Sequence, residues 1–222
     1  MLLAYFIYLA TNAPHDPLEI EDGYVEYYRQ KGLAEPVSLV YGMVENIDDN
    51  LGRLLTYLDF LGLDNDTIII FLSDHGPSSG RFNAGFRSHK GNVYEGGIRL
   101  PFFIRWRCHI QAGVKIGQVA AHIDILPTLL DLCQIEIPDQ LKLDRTSIRS
   151  LIEDPTSEWI ERTLFIQTHR GSSPRQYHNA AAFLTDTNGY RIQVGGKVGR
   201  LIPLLRRWSF TKLIRIQGNN QT

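Results

Sequence analysis

Between Pro36 and Leu61, apolar side chains recur at Val40, Val44, Ile47, Leu51, Leu54 and Leu58, flanked by Met43 and Leu55. Steps of four and three residues bring these positions onto one face of an α-helix. Pro36 suits the first turn of that helix and Gly62 its end. A face of that length has to be buried, so the chain must build a second layer. The next segment supplies it. Thr67-Ile-Ile-Ile-Phe-Leu72 is a continuous β-branched and aromatic run, the pattern of a parallel strand covered on both faces. A helix leading through a short Asp-Asn-Asp turn into such a strand is half of a βαβ unit. The expected fold class is therefore α/β, a mostly parallel sheet with helices on both faces, with strands near residues 4–10, 67–72 and 100–106.

The rest of the chain can be placed around that unit. Ala4–Thr11 reads as a first strand, apolar throughout and so fully buried. The two prolines of Asn12-Ala-Pro-His-Asp-Pro17 stop it and force a loop. Glu19–Lys31, acidic and rich in tyrosine, reads as a short surface helix ended by Gly32. Pro77–Tyr94 is a long loop rich in Gly, Ser and Asn, and loops of that length in compact domains are more often functional than not. Ile98–Trp106 is the next strand, with Pro101 marking an edge or a bulge. Ala121–Leu132 is a short amphipathic helix with Ile123, Leu126, Leu129 and Leu130 on its apolar face. Pro138–Asp154 is irregular, with a helical turn at Ser147–Leu151.

After Pro155 the texture changes. Leu164–Thr168, Ala180–Thr185 and Tyr190–Val194 are short strand-like runs, and Asp186-Thr-Asn-Gly189 is a hairpin signal. The expected organisation is an α/β core over 1–155, a small antiparallel α+β subdomain over 156–196 and a basic tail over 197–222.

Composition limits the function classes. With 222 residues, 43% apolar and 21% charged, the chain can bury a core and is neither collagen-like, disulfide-rich nor wholly disordered. Cys108 and Cys133 form no disulfide framework and lack zinc-site spacing. Charge is unevenly distributed. From Thr187 onward there are seven Lys/Arg residues and no Asp or Glu, while the first 186 residues hold 16 basic and 24 acidic residues, a net of −8. A basic end suits an anionic partner or a poorly folded end. No apolar run approaches the roughly 20 residues of a membrane span. The opening lacks the positive region and cleavage pattern of a signal peptide. A chain that starts inside a core strand reads as a piece of a longer protein.

The residues that could carry chemistry gather at expected strand ends. Asp74 and His75 close one strand, His15 follows another, and Lys90 sits in the long loop beside His89. In open α/β sheets ligands bind at the carboxyl ends of strands. A carboxylate with a neighbouring polar group can be half of a metal site, and a lysine with a histidine can hold an anion. Each feature has a plainer alternative. An Asp-His pair after a strand is commonly a hydrogen-bonded turn, a loop lysine is commonly solvated, and His15 between prolines can be a surface histidine.

Five segments in order resemble the sulfatase family, within the alkaline-phosphatase superfamily. They are Ala13–Pro17, Met43–Leu55, Ile70–Gly76, His89–Pro101 and Ala121–Leu132, and the likeness covers roughly residues 4 to 152. The resemblance implies an alkaline-phosphatase-like fold and hydrolysis of sulfate esters by a formylglycine made from Cys or Ser, with calcium on the sulfate oxygens. It implies that Asp74 binds calcium and that His75 occupies the next ligand position, where many members have Asn. It implies that Lys90 contacts sulfate and the leaving oxygen, and that His15 does the same and helps protonate the leaving group. Charge grows on the bridging oxygen as the S–O bond breaks, so a cation and proton donors aimed there lower the barrier. The implied partner is a sulfate ester, including a sulfated glycan, with no nucleic acid and no transmembrane segment. The implied setting is secreted, periplasmic or lysosomal.

The sequence also departs from the family. The Asp-Asp pair for calcium and the Cys/Ser-x-Pro-x-Arg motif that yields the nucleophile are not in these 222 residues. The expectation is a C-terminal portion of a sulfatase with little or no activity alone. The alternatives are a phosphodiesterase or phosphonate hydrolase of the same superfamily, or a non-catalytic relative that binds sulfated glycans.

Overall fold

The computed structural model describes residues 5–78, 80–138, 140, 143, 146–160, 162–167, 180–184, 193–194 and 197–198. The chain divides into two compact units. One comprises Met1–Lys90 with Glu95–Val114, and the other Gly91–Tyr94 with Lys115–Thr222.

The first unit opens with a helical hairpin, α1 (Asp22–Gln30) and α2 (Glu35–Phe60). Arg29 fastens its bend. Its guanidinium donates to Asp22 at 2.8 Å and to both oxygens of Glu35 at 2.6 and 3.0 Å, the bidentate geometry that fixes orientation best. Val25, Val40 and Met43 are buried. At Gly42 the helices approach so closely that a Cβ would lie 3.0 Å from the Tyr24 carbonyl oxygen. Tyr28 packs edge-on against Tyr27 and Tyr41 along the same seam. Burial, then hydrogen bonding to Glu45, pushes its hydroxyl up to about 12.

The buried stripe of α2 differs from the periodic expectation. Val40 and Met43 are buried, while Val44 and Leu54 are exposed. Length explains this. The 9 residues of α1 reach about 13 Å, whereas the 26 residues of α2 reach about 39 Å. Only the first part of α2 has a helix to pack on, and its buried residues all lie between Ser38 and Met43.

The sheet of this unit is β1 (Ile69–Leu72) with β2 (Phe102–Arg105), paired Ile69↔Arg105, Ile70↔Ile104, Phe71↔Phe103 and Leu72↔Phe102. This corrects the expected parallel sheet, because the ladder is antiparallel. A parallel partner needs a crossover back to the strand's start. Here the connection folds at the carboxyl end of β1, where the Gly76 N–H donates to the Gly97 oxygen at 3.0 Å, and the chain returns directly. The expected buried strand at 4–10 is corrected as well. Residues 5–10 join no ladder, and Tyr5 to Leu9 are all at least 75% exposed. An apolar run becomes a strand only where a partner takes its backbone groups, and none of the described residues does so.

The turn before β1 carries an ion cluster centred on one buried carboxylate. The Asp64 carboxylate, 3% exposed, accepts from Arg105 and from Arg107 at 2.9 Å. Those hydrogen bonds, Arg105 first, hold it far below the usual carboxylate range against the opposing effect of burial. Arg107 also donates to Asp59 at 2.7 Å, and the Trp106 indole donates to the Asn65 oxygen at 3.0 Å. Together they tie the end of α2 and the following turn to β2.

In the second unit a 3-10 turn, His122–Asp124, leads into α4 (Ile125–Leu132), and α5 (Arg149–Glu153) packs against it. Leu132, Ile148, Leu151 and Ile152 are buried. The expected apolar face of α4 is rotated, since Ile123 and Leu126 are exposed and Asp124, Thr128 and Leu132 face inward. Polar bonds cause this. Asp124 is ion-paired with Arg162 and accepts from the Ala121 N–H at 2.8 Å. Thr128 donates to the Asp124 carbonyl and accepts from the Ile148 N–H at 3.1 Å. Further on, β3 (Thr163–Gln167) pairs antiparallel with β4 (Ala180–Leu184), and β5 (Gln193–Val194) with β6 (Lys197–Val198). The β5–β6 ladder runs across the expected tail boundary at residue 197. The expected turn at 186–189 and the basic residues from 199 onward lie outside the described residues. No helix among the described residues is long and apolar enough to cross a membrane.

Candidate functional site

β1 ends at Leu72 and delivers Ser73, Asp74, His75 and Gly76 to its carboxyl edge. The Ser73 hydroxyl donates to the His75 carbonyl at 3.2 Å and holds this short turn. Asp74 projects outward, its side chain 78% exposed, and lies 2.9 Å from His75 Nε2. His75 is half-buried, and its Nδ1 lies 2.8 Å from the Gly76 oxygen.

The long loop folds back onto this edge through its backbone. The Lys90 N–H donates to the Pro77 oxygen at 2.8 Å, and the Gly96 N–H to the Arg87 oxygen at 2.9 Å. Two glycines make the approach possible. A Cβ on Gly76 would sit 2.1 Å from the Gly96 oxygen, and a Cβ on Gly96 would sit 2.1 Å from the Ser88 oxygen. Both obstacles are main-chain atoms, so no side-chain rotation relieves them. Asn83 clamps the loop from inside. Its amide donates to the Phe86 oxygen at 2.7 Å and the Ser88 oxygen at 2.9 Å, and its side-chain oxygen accepts from the Gly85 N–H at 3.1 Å. Outside, the Phe82 N–H donates to the Tyr41 hydroxyl of α2 at 3.3 Å. After the loop, α3 (Glu95–Ile98) leads into β2, and Arg99 pairs with the largely buried Glu95 at 2.9 Å while lying over the Phe86 ring.

The structure thus brings three of the four expected site residues to one place. The Lys90 backbone is one hydrogen bond from Pro77, two residues beyond His75. His15 stands apart. It is exposed, its N–H donates to the Asn12 oxygen, its Nδ1 faces the Asp16 oxygen at 3.2 Å, and no hydrogen bond or ion pair joins it to Asp74, His75 or Lys90. Asn83, Tyr41, Gly76 and Gly96 escaped the sequence reading as site-building residues. Asn83-Ala-Gly85 does carry an Asx-turn signal; Tyr41, 41 positions from its partner, carries none.

The residues described here do not by themselves make up the calcium site that the resemblance implies. Calcium takes six to eight oxygen ligands. Asp74 and His75 are two groups that face each other, and among the described residues no three His, Cys, Asp or Glu side chains gather as a cation site would require. What the site offers by its own residues is an exposed carboxylate paired with a half-buried imidazole, and a lysine whose backbone is tied to the same turn.

Comparison with known proteins gives this arrangement its class. A sulfatase family model matches residues 5–135, and a model of the N-sulphoglucosamine sulphohydrolase C-terminal region matches residues 86–190. The chain belongs to the sulfatase family. An arylsulfatase of Clostridium perfringens is 32% identical along an alignment 192 positions long that covers 70% of this chain and 39% of that protein. A crystal structure of Ps i-CgsB superposes with a TM-score of 0.71 at 25% identity, over 85% of this chain and 41% of its own. The structure of BT4656, solved with its substrate D-glucosamine-2-N,6-O-disulfate, superposes with a TM-score of 0.54 at 23% identity, over 72% of this chain and 34% of its own. The chain therefore spans about two fifths or less of these proteins.

Proposed function

We propose that these 222 residues are the C-terminal portion of a sulfate ester hydrolase, and that the Lys90 ammonium holds the sulfate of the substrate. The observation that carries this reading is the backbone closure of the 77–97 loop. It ties the Lys90 backbone to Pro77, two residues beyond His75, within the stretch that matches the family, and so supports a site shared by Lys90, Asp74 and His75. A fixed cation there stabilises the charge that develops on the bridging oxygen as the S–O bond breaks. His15 is the proposed proton donor to that oxygen. Asp74 and His75 are the proposed share of a calcium site whose other ligands, with the formylglycine nucleophile, belong to sequence outside these residues. The relative named as an arylsulfatase and the neighbour with a disulfated glucosamine substrate support sulfate esters, sulfated glycans among them, as the substrate class.

Calorimetric titration with an aryl sulfate, beside a hydrolysis assay in millimolar calcium, tests the reading. The chain should bind the ester, and Lys90→Ala should weaken binding roughly 10-fold or more, as expected for a lost charge-assisted hydrogen bond. Without an activated nucleophile, turnover should stay below about one per minute, far under ordinary enzyme rates. Unchanged binding in Lys90→Ala would refute the role of the lysine. Turnover that depends on Lys90 would refute the partial character of the site. Binding to sulfated polymers that survives in Lys90→Ala would favour a relative that binds glycans by another surface.

A further inference from the structure

The loop that carries Lys90 keeps a backbone shape that its own residues do not favour. Ala84 and Ser88 have φ of +57° and +68°. Residues with a side chain enter this left-handed region at a cost and stay where surrounding contacts impose it. Ser88 lies two residues before Lys90. Among the described residues the Lys90 ammonium makes no hydrogen bond or ion pair, so the polar contacts that fix this residue are those of the loop backbone.

Around Phe86 the grip from outside the loop comes from Arg99. Its guanidinium lies over the Phe86 ring, 5.0 Å from the centroid, within range of a cation–π attraction. Arg99 is held in turn by the Glu95 carboxylate at 2.9 Å, and the Glu95 side chain is only 11% exposed. A carboxylate so shielded from water and bonded to a guanidinium is a fixed anchor rather than a solvated charge. Phe86 passes the grip on. Its N–H donates to the Asn83 carbonyl oxygen at 3.1 Å, and the Asn83 amide donates to the oxygens of Phe86 and Ser88 at 2.7 and 2.9 Å. Each step from Glu95 to Ser88 is therefore a direct contact.

We propose that Arg99 is a positioning residue for Lys90: held by Glu95 and laid on Phe86, it keeps the loop in the conformation in which Lys90 takes the sulfate, without touching the ligand itself. The inference rests on the reading of Lys90 given above. Sulfate affinity then depends on Arg99 through the loop, and only while Lys90 is present.

The experiment titrates an aryl sulfate into the full chain by calorimetry. The unsubstituted chain is compared with Arg99→Ala, Arg99→Lys, Phe86→Leu, Lys90→Ala and the double variant Arg99→Ala with Lys90→Ala. Far-UV circular dichroism checks that each is folded, and exchange of the Lys90 amide is read alongside. Arg99→Ala should weaken binding roughly threefold or more, the scale of an exposed cation–π contact, and should speed exchange of the Lys90 amide. Phe86→Leu, which keeps an apolar side chain but no ring face, should do the same. Arg99→Lys should keep part of the affinity, because an ammonium also pairs with a carboxylate and lies over a ring. In the Lys90→Ala chain, adding Arg99→Ala should change affinity less than about 1.5-fold, since residues acting through one another do not add. If Arg99→Ala does not fold, Arg99→Lys and Phe86→Leu carry the same comparison. An equal loss from Arg99→Ala with and without Lys90 would overturn the proposal, because it would show Arg99 meeting the ligand directly. Unchanged affinity in folded Arg99→Ala or Phe86→Leu would overturn it too, reducing the contact to a structural tie while leaving Lys90 its role. Affinity indifferent to Lys90→Ala would overturn the site reading itself and this inference with it.

Discussion

Residues 77–97 and residues 5–17 were both expected to bring a functional side chain to the strand end, and they are built in opposite ways. The first segment carries Lys90 and is held by main-chain bonds to Gly76 and Pro77, by the Asn83 clamp and by two glycines whose hydrogens face carbonyl oxygens. The second carries His15. It has exposed apolar residues, a main-chain bond from His15 to Asn12, a side-chain bond from Thr11 to Ala13 and another between His15 Nδ1 and the Asp16 oxygen, all between Thr11 and Asp16. The polar loop sequence is the hydrogen-bonded segment, and the apolar run 5–10 is the one that joins no ladder. Order in this chain follows the supply of backbone partners rather than hydrophobicity, because an apolar run without a ladder leaves its N–H and C=O groups to water.

The largest effect should come from filling the loop's tightest contact. Gly96→Ala puts a methyl where main-chain oxygen already stands, so urea denaturation should show a loss of about 3 kcal/mol or more, at or above the usual range for overpacking. Gly23→Ala, where nothing lies within 4 Å in α1, should be neutral or stabilise by about 0.5–1 kcal/mol through helix propensity. In the other segment, Leu9→Ala should change stability by less than about 0.5 kcal/mol. A large loss there would break the comparison. Asn83→Ala comes next. It removes two donated bonds and one accepted bond and should cost about 1–3 kcal/mol in the same assay, with sulfate affinity falling alongside because Lys90 loses its mooring.

The smallest effect concerns acid. The Asp64 carboxyl is lowered in the folded chain, so its contribution is fully present above the ordinary carboxylate pKa of about 3.9 and is lost as pH falls below that toward the folded value. Thermal midpoints measured from pH 6 to pH 2 should fall more steeply for the unsubstituted chain than for Asp64→Asn, with the difference confined below about pH 4. Parallel profiles would show that the Arg105 and Arg107 bonds do not set the acid response.

The elements with local signals were legible in the sequence. The α2 period and the β-branched β1 run depend on residues within a few positions of each other and formed where their patterns lay. The strand expected over Ile98–Trp106, by contrast, forms only over Phe102–Arg105, because Ile98 ends helix α3 and Pro101 cannot donate to a ladder. Which face of α2 is buried was not legible, because it depends on the length of α1. The inward turn of α4 was not legible either, since Arg162 lies 38 positions from the Asp124 it pairs with. Strand direction escaped for a similar reason. A buried apolar run has the same composition in either sense, and the antiparallel return was decided by main-chain contacts at Gly76 and Gly97. At the site, Asp74, His75 and Lys90 could be named from residue types and resemblance, but the clamp that holds Lys90 is made of an asparagine and glycines that no charge pattern marks.

Amide hydrogen exchange read residue by residue tests the central claim most directly, that main-chain closure of the loop holds Lys90 at the strand end. The amides of Gly76, Lys90 and Gly96 each donate to a carbonyl oxygen and should exchange at least about 100-fold more slowly than those of residues 5–11, which should exchange near the rate of an unstructured chain. Exchange of the Lys90 and Gly96 amides as fast as that of residues 5–11 would contradict the account.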